Sequence, residues 1–166
     1  KYFLFIGSLS NAFDFELIYE ISNLLMSTHS EYFFLICGTG DKYEKLKSLF
    51  ENSKNVFLFG EIDKYNASFL VKNAIATLAP YQNNPNFKNS IPNKVIESLE
   101  HGVPFITCTE GELKSLIQKY KNGIYLNRNK LDISKILKLI NNKEYLERLR
   151  ENASKSYQNS FDFKKT

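Results

Sequence analysis

Six short apolar runs alternate with amphipathic helical patterns along this 166-residue chain, and this alternation constrains the fold more than any other feature. The runs are apolar at consecutive positions, which is typical of strands buried on both faces of a parallel sheet. Strands that alternate with helices predict an α/β fold, a three-layer doubly wound parallel sheet of about six strands. We expect these strands at residues 2–6, 32–37, 55–59, 74–79, 104–108 and 124–126.

Helical patterns fill the segments between the strands and the end of the chain. No change in composition marks a linker, so we predict a single domain over residues 1–166, with an α/β core at 1–128 and C-terminal helices at 129–166. Residues 81–91 are the longest irregular stretch, and loops of that length in compact domains are usually functional or disordered. We expect helices at 15–28, 42–52, 63–73, 92–102 and 110–121, and two more between 131 and 160.

The composition argues against several functions. The net charge is +4, but the basic residues are scattered beside acids and form no stripe of the kind that binds nucleic acid, so no nucleic-acid partner is expected. Cys37 and Cys108 each lie near the end of an apolar run, which predicts small buried side chains, and no metal-ligand spacing is present. No apolar run approaches the roughly 18 residues of a membrane span. We expect a cytoplasmic protein without a metal or cofactor.

Familiar phosphate-binding and nucleophile motifs are missing. There is no Gly-x4-Gly-Lys-Ser/Thr phosphate loop and no Gly-x-Ser-x-Gly elbow. Gly38-Thr39-Gly40 follows the second strand, but Tyr43 stands where a dinucleotide-binding fingerprint needs its third glycine. The strand ends also lack the acidic cluster of a phospho-receiver. The chemistry of a P-loop NTPase, a dinucleotide enzyme, a receiver or a serine hydrolase is therefore not predicted.

The helix predicted at 92–102 is the best candidate for a functional element. Pro92 opens it and a glycine ends it, and Lys94, Glu97 and His101 fall on the side opposite its apolar residues. In doubly wound sheets, ligands bind at the carboxyl ends of the strands, and the loop before this helix leaves the sheet at that edge. From the residues alone the polar face is either a site for a phosphorylated ligand or an ordinary solvated surface.

The pattern as a whole resembles a known family. The opening FIGSLSNAFDFELI, the turn LICGTGD and the segment NVFLFGEIDKYNASFLVKNAIATLAPY resemble the C-terminal, donor-binding domain of GT-B-fold glycosyltransferases. The similar family is the large retaining one that acts on bacterial polysaccharides and glycolipids, the glycosyl transferases group 1. Its most specific motif is S-x-P-x-K-x-x-E followed by Gly-x-Pro, which is formed here by Ser90, Pro92, Lys94, Glu97, Gly102 and Pro104.

The resemblance implies a function and a set of site residues. The chain would bind a nucleoside-diphosphate sugar, with a UDP-sugar as the expected donor, for transfer to a polysaccharide or glycolipid. Glu97 would accept hydrogen bonds from the ribose, and Lys94 would lie by the diphosphate. The other expected donor contacts are Gly7 and Ser8 near the phosphates, Gly60 near the nucleobase, and Asn89 and Ser90 before the helix. The resemblance does not indicate which residue is catalytic, and it implies no metal.

Some positions depart from the family. Many members have Glu where this chain has Asn89 and Arg where it has Ser8, and the stretch 12–16 has no cation. The resemblance also implies an N-terminal acceptor-binding domain, which we expect to be absent from this chain, and it leaves open an attachment to the inner face of the cell membrane. Two alternatives remain: an enzyme like the nucleotide-sugar 2-epimerases, and a nucleotide-sugar-binding module without transfer activity.

Overall fold

The computed structural model describes residues 1–162, and the last part of the predicted helical tail, residues 163–166, lies outside the described residues. The strands are β1 (Tyr2–Ile6), β2 (Phe33–Cys37), β3 (Val56–Phe59), β4 (Ala76–Leu78), β5 (Phe105–Thr107) and β6 (Gly123–Tyr125). The helices are α1 (Phe15–Met26), α2 (Tyr43–Phe50), α3 (Lys64–Asn73), α4 (Pro85–Lys88), α5 (Asn93–Glu100), α6 (Glu112–Tyr120), α7 (Ser134–Asn141) and α8 (Lys143–Ser160).

The strands form one sheet in the order β3-β2-β1-β4-β5-β6, and every pair is parallel. This confirms the doubly wound α/β prediction. The strand order reverses between β1 and β4, so the crevice expected of such sheets lies at the carboxyl ends of these two central strands. Phe3 pairs with Phe34 on one side and with Ala76 on the other, and all three are fully buried.

One face of the sheet is covered by α1, α2 and α7. Ile18 and Ile21 of α1 pack in the same buried cluster as Phe3 and Phe34 of the sheet. The helix α1 begins where the sequence predicts, because the Asp14 carboxylate accepts a hydrogen bond of 3.1 Å from the Leu17 amide. Such an N-cap satisfies an amide that the first helical turn leaves without a partner.

The other face is covered by α3, α5 and α6, and α8 packs across it. The Tyr2 hydroxyl donates to the Leu70 carbonyl at 2.7 Å and holds α3 over β1. Arg150 of α8 donates to the Ala74 carbonyl at 3.0 Å at the end of α3. The helical character predicted for the C-terminal segment is confirmed by α7 and α8, and the boundary placed at residue 128 stays a prediction.

Two local expectations are corrected. Residues 81–91 are not irregular throughout, because they contain the single helical turn α4; the Asn84 carboxamide accepts from the Phe87 amide at 3.3 Å, and Pro85 follows it as the first helical residue. Asn-Pro is a helix-start signal that sequence analysis overlooked. Pro92 does not open α5 from within but precedes it as the N-cap, with φ −66° and ψ 147°. The extended ψ of Pro92 keeps it outside the helix, which therefore begins at Asn93.

The turn Gly38-Thr39-Gly40 has a structural role. A Cβ on Gly38 would lie 1.8 Å from the Gly7 carbonyl oxygen, and one on Gly40 would lie 2.4 Å from the Leu9 carbonyl oxygen. The loops after β1 and β2 are in contact there through their backbones, and the Leu9 amide donates to the Thr39 carbonyl at 2.9 Å. The two glycines are therefore explained by backbone packing.

We expect Gly38→Ala to destabilise the fold strongly. The new Cβ would clash with backbone, and the glycine has a φ of +151°, which L residues rarely adopt. A loss of about 3 kcal/mol in the free energy of unfolding is expected in urea titrations. Gly60→Ala is the matched control, since its Cβ would have no neighbour within 4 Å. Equal stability of the two variants would contradict this account.

Candidate functional site

The helix α5 presents two different faces. Val95 and Leu99 are buried against the sheet, and the fully buried Ser98 hydroxyl donates to the Val103 carbonyl at 2.9 Å. On the opposite face Lys94 and Glu97 are about half exposed, with Nζ and Oε2 3.4 Å apart. The buried face therefore anchors α5 on the sheet, and the opposite face leaves Lys94 and Glu97 accessible.

The N-terminus of α5 is open. Pro92 makes no side-chain cap, and its carbonyl accepts from the amides of Val95 at 3.0 Å and Ile96 at 3.3 Å. Within residues 1–162 the amides of Asn93 and Lys94 have no hydrogen-bond acceptor. Free amides at a helix start carry partial positive charge and bind anions, and here the Lys94 side chain adds a full charge.

A cleft of about 660 Å³ lies between α3 and α5, above the ends of β1 and β4. Lys94, Glu97 and His101 all line it, so the three residues that the helical pattern groups together do share one surface of one cavity. The facing wall includes Ile62 and Lys64. The volume falls within the range of roughly 300–1,000 Å³ that is usual for small-molecule sites.

The other predicted site residues lie outside the lining of this cleft. Gly7 and Ser8 follow β1 and Gly60 follows β3, all at the carboxyl edge of the sheet, and Ser8 and Gly60 are exposed. Asn89 is the exposed C-cap of α4, and the Ser90 hydroxyl donates to the Asn86 carbonyl at 2.9 Å. Contact between these five residues and a ligand stays a prediction.

His101 and the two cysteines are placed as follows. His101 is the C-cap of α5, and its Nε2 lies 3.2 Å from the Ser68 hydroxyl across the cleft. Cys37 and Cys108 are free and buried, as predicted, and burial raises the pKa of the Cys37 thiol to about 11 and of the Cys108 thiol to about 12. Neither thiol is therefore a nucleophile at neutral pH.

Tyr81 lines the cleft and was missed by sequence analysis. Its backbone forms an antiparallel bridge with Phe13, and its ring lies 4.7 Å from the Phe13 ring and 5.1 Å from the Phe87 ring. The side chain is only 8% exposed. Burial, and next the negative charge of Glu97, raise the pKa of the Tyr81 phenol to about 12, so it stays a neutral hydrogen-bond donor at neutral pH.

Arg128 was also missed, and it supplies a cation to the loop that follows β1. Its Nε lies 2.6 Å from Asp14 Oδ2, and its terminal nitrogen lies 2.9 Å from Glu20 Oε1. Hydrogen bonds to these two carboxylates raise the pKa of the guanidinium despite partial burial. Arg128 stands 114 residues beyond Asp14 in the chain, so no local pattern could have paired them.

The loop before α5 is fixed to the loop after β5. The Asn83 carboxamide accepts from the Glu110 amide at 2.7 Å and donates to the Cys108 carbonyl at 3.1 Å. A Cβ on Gly111 would lie 2.2 Å from the Lys88 carbonyl oxygen, so α4 packs directly on the start of α6. The loop that leads into α5 is therefore held in place by the loop after β5 and by the start of α6.

Two features are absent from the part of the chain that the structure describes. Within residues 1–162 no group of three or more His, Cys, Asp and Glu side chains is arranged to hold a metal ion. Over the same residues, no helix is both long and apolar enough to cross a membrane.

Sequence and fold place the chain in the same family. The family model described as glycosyl transferases group 1 matches residues 1–156, so the chain belongs to that family. The fold is that of a GT-B half, in agreement with the C-terminal, donor-binding domain that the sequence resembles. No curated protein matches the chain in sequence.

Solved structures share the fold at low identity. A point mutant of S. aureus TarM, solved in complex with Fondaparinux, alpha-GlcNAc-glycerol and UDP, matches with a TM-score of 0.81 and 19% identity over 99% of this chain and 33% of its own. The catalytic domain of the Helicobacter pylori cholesterol-alpha-glucosyltransferase matches at 0.77 and 18%, over 95% and 97%. WaaG, a glycosyltransferase involved in lipopolysaccharide biosynthesis, matches at 0.75 and 18%, over 97% and 43%. The chain thus spans about a third of the length of TarM.

We expect Arg128→Ala to destabilise the domain by about 2 kcal/mol, because it leaves the Asp14 carboxylate, only 14% exposed, without its cation. Urea unfolding measures the change. Arg148→Ala is the control, since Arg148 is exposed on α8 and a surface change of this kind is usually worth less than about 0.5 kcal/mol. Equal losses in both variants would show that the contact with Asp14 does not matter.

Proposed function

We propose that this chain is the donor-binding half of a metal-independent glycosyltransferase that uses a nucleoside-diphosphate sugar, with UDP as the nucleotide. The observation that carries the proposal is the pairing of Lys94 and Glu97 on α5, where an open helix N-terminus meets the cleft. Membership of the glycosyl transferases group 1 supports the reaction class. The UDP bound in TarM supports the choice of nucleotide.

The chemistry follows from charge. As the bond between the sugar and the diphosphate breaks, negative charge develops on the leaving phosphate oxygen. Lys94 and the free amides at the start of α5 are positive groups fixed where the cleft begins, so they can stabilise that charge without a metal ion. The charge-stabilising groups are already in place before the donor binds.

Glu97 is assigned to the ribose. It lies three residues after Lys94, which is about 4.5 Å further along the helix axis. A carboxylate only accepts hydrogen bonds, and the vicinal hydroxyls of a ribose are donors of matching spacing. The present contact between Lys94 and Glu97 is no obstacle, since exposed pairs of this kind are worth less than about 1 kcal/mol. A diphosphate and a ribose can replace it with stronger charge-assisted bonds.

The complete enzyme needs a second half. The chain corresponds to only part of TarM and of WaaG, and we propose that an N-terminal domain of the same enzyme holds the acceptor across the cleft. A polysaccharide or glycolipid acceptor, and an attachment of that enzyme to the membrane surface, are part of the same proposal.

A second candidate function is a nucleotide-sugar-binding module without transfer activity. Arg128 reaches the loop that follows β1 through Asp14, but both of its carboxylate contacts are made inside the fold. The charge of Arg128 is therefore not available to a donor at that loop. Transfer of sugar from a UDP-sugar by the full-length enzyme distinguishes the two functions.

We expect UDP to raise the melting temperature of the chain, and Lys94→Ala and Glu97→Ala to weaken UDP binding about tenfold each. Differential scanning fluorimetry over a UDP titration measures both effects. The controls are Lys143→Ala and Glu147→Ala, which disrupt a comparable exposed ion pair of 3.7 Å on α8. Parent-like binding by both cleft variants would mean that this face of α5 is only solvated surface.

We expect Tyr81→Phe to keep the fold and to lower UDP affinity about tenfold, the worth of one hydrogen bond to a charged group. The ring contacts with Phe13 and Phe87 persist in this variant, so stability changes little. Isothermal titration calorimetry with UDP is the measurement. Tyr120→Phe, which removes a phenol bonded to Ser160, is the control. Unchanged UDP affinity in Tyr81→Phe would remove the phenol from the donor site.

A further inference from the structure

The strand β3 is at the edge of the sheet and has one open side. The Phe34 amide donates to the Asn55 carbonyl at 2.7 Å, and the Gly38 amide donates to the Phe59 carbonyl at 3.3 Å, so the odd-numbered residues here bond to β2. Successive residues of a parallel strand direct their backbone groups to opposite sides. The amide and carbonyl groups of Val56 and Leu58 therefore point away from β2, where no strand of the described chain pairs with them.

Beside this open side lies an aromatic edge patch, which we define as Phe33, Phe57 and Phe59. The three side chains are 37%, 43% and 48% exposed, and the rings of Phe33 and Phe57 meet edge to face at 5.6 Å. They lie on the face of the sheet that carries α3, but α3 is held over β1 through Tyr2 and leaves them uncovered. Open backbone groups next to exposed aromatic rings are a template for strand pairing.

We propose that β3 pairs antiparallel with β3 of a second copy of this chain, about a two-fold axis at Leu58. In this register Leu58 faces Leu58 of the second copy and Val56 faces Gly60 of the second copy. Phe57 then faces Phe59 of the second copy, at a non-hydrogen-bonded position where side chains are closest. The pairing would continue the sheet across the two copies.

The backbone groups of β3 fit this register. Leu58 can donate to and accept from its symmetry mate, and the Gly60 amide can donate to the outward carbonyl of Val56. The Gly60 carbonyl already accepts from the Gly38 amide at 3.1 Å, so the ladder ends there. A Cβ on Gly60 would have no neighbour within 4 Å, so no group of the described chain packs over this end of β3.

Charge favours a second copy as the occupant. Lys54 precedes β3 and Glu61 follows it, both are exposed, and neither has an ion-pair partner within residues 1–162. In the register about Leu58, Lys54 of each copy lies opposite Ile62 of the other and one position from its Glu61, once at each end of the paired strands. A parallel arrangement would place like charges together. Two antiparallel copies of this strand therefore have complementary charges at both ends.

The interface would be small. The strand has four residues, and the aromatic edge patch has three side chains that are each about two-fifths exposed. Contacts that bury less than roughly 1,200 Å² in total form reversible complexes, so the dimer should be concentration-dependent. This inference does not depend on the proposed function.

Sedimentation velocity over increasing concentrations of the chain tests the proposal. We expect a reversible monomer–dimer equilibrium, and we expect Phe57→Lys to raise the dimer Kd about tenfold, because it places a charge in both cross-strand aromatic pairs. Phe69→Lys is the matched control, since Phe69 is 60% exposed on α3 and should not alter the Kd. A strictly monomeric parent chain, or equal effects of the two substitutions, would overturn the proposal.

A charge exchange tests the register itself. Lys54→Glu and Glu61→Lys should each raise the dimer Kd several-fold, because like charges then meet across the interface, and the double variant should restore the parent value. Failure of the double variant to recover would overturn the antiparallel register. Urea unfolding of each variant checks that the fold is intact, and the exposed positions of both residues favour that result.

Discussion

The contact between the loops that follow β1 and β4 is the constraint on which the candidate site depends. The Asp14 amide donates to the Pro80 carbonyl at 2.7 Å, and the Gln82 amide donates to the Ala12 carbonyl at 2.9 Å, on either side of the bridge between Phe13 and Tyr81. These bonds fix Tyr81 over the cleft and also set where α1 begins. A parallel sheet leaves its strand ends without pairing partners, and here backbone pairing between the two loops joins the ends of β1 and β4 beside the cleft.

The electrostatics of the domain separate a structural network from a binding surface. Arg128 is surrounded by acceptors from Asp14 and Glu20, and its charge is used to join the end of β6 to α1. Lys94 has one weak partner, Glu97, on a half-exposed face. A cation with satisfied bonds in a partly buried place stabilises the fold, whereas one with a weak partner beside free amides is available to a ligand.

Some of the site could be predicted from sequence, and some could not. The strands, the cap at Asp14 and the shared face of Lys94 and Glu97 follow from short-range periodicity and end signals, which the tertiary structure did not override. The turn α4 carried a usable signal in Asn84-Pro85 that was not used. The sequence carried no such signal for Tyr81, because a tyrosine after a strand-ending proline is equally compatible with a buried and with an exposed position.

The sequence by itself determined the order of strands and helices along the chain, the family, and which side chains of α5 share a face. Each of these depends on residues that are close together in the chain. Tertiary structure decided which surface that face meets. The cleft is formed by α3 and α5 across the central strands, and Arg128 reaches Asp14 from 114 positions away. Such contacts depend on how the sheet brings distant segments together, and no local pattern of residues encodes that distance.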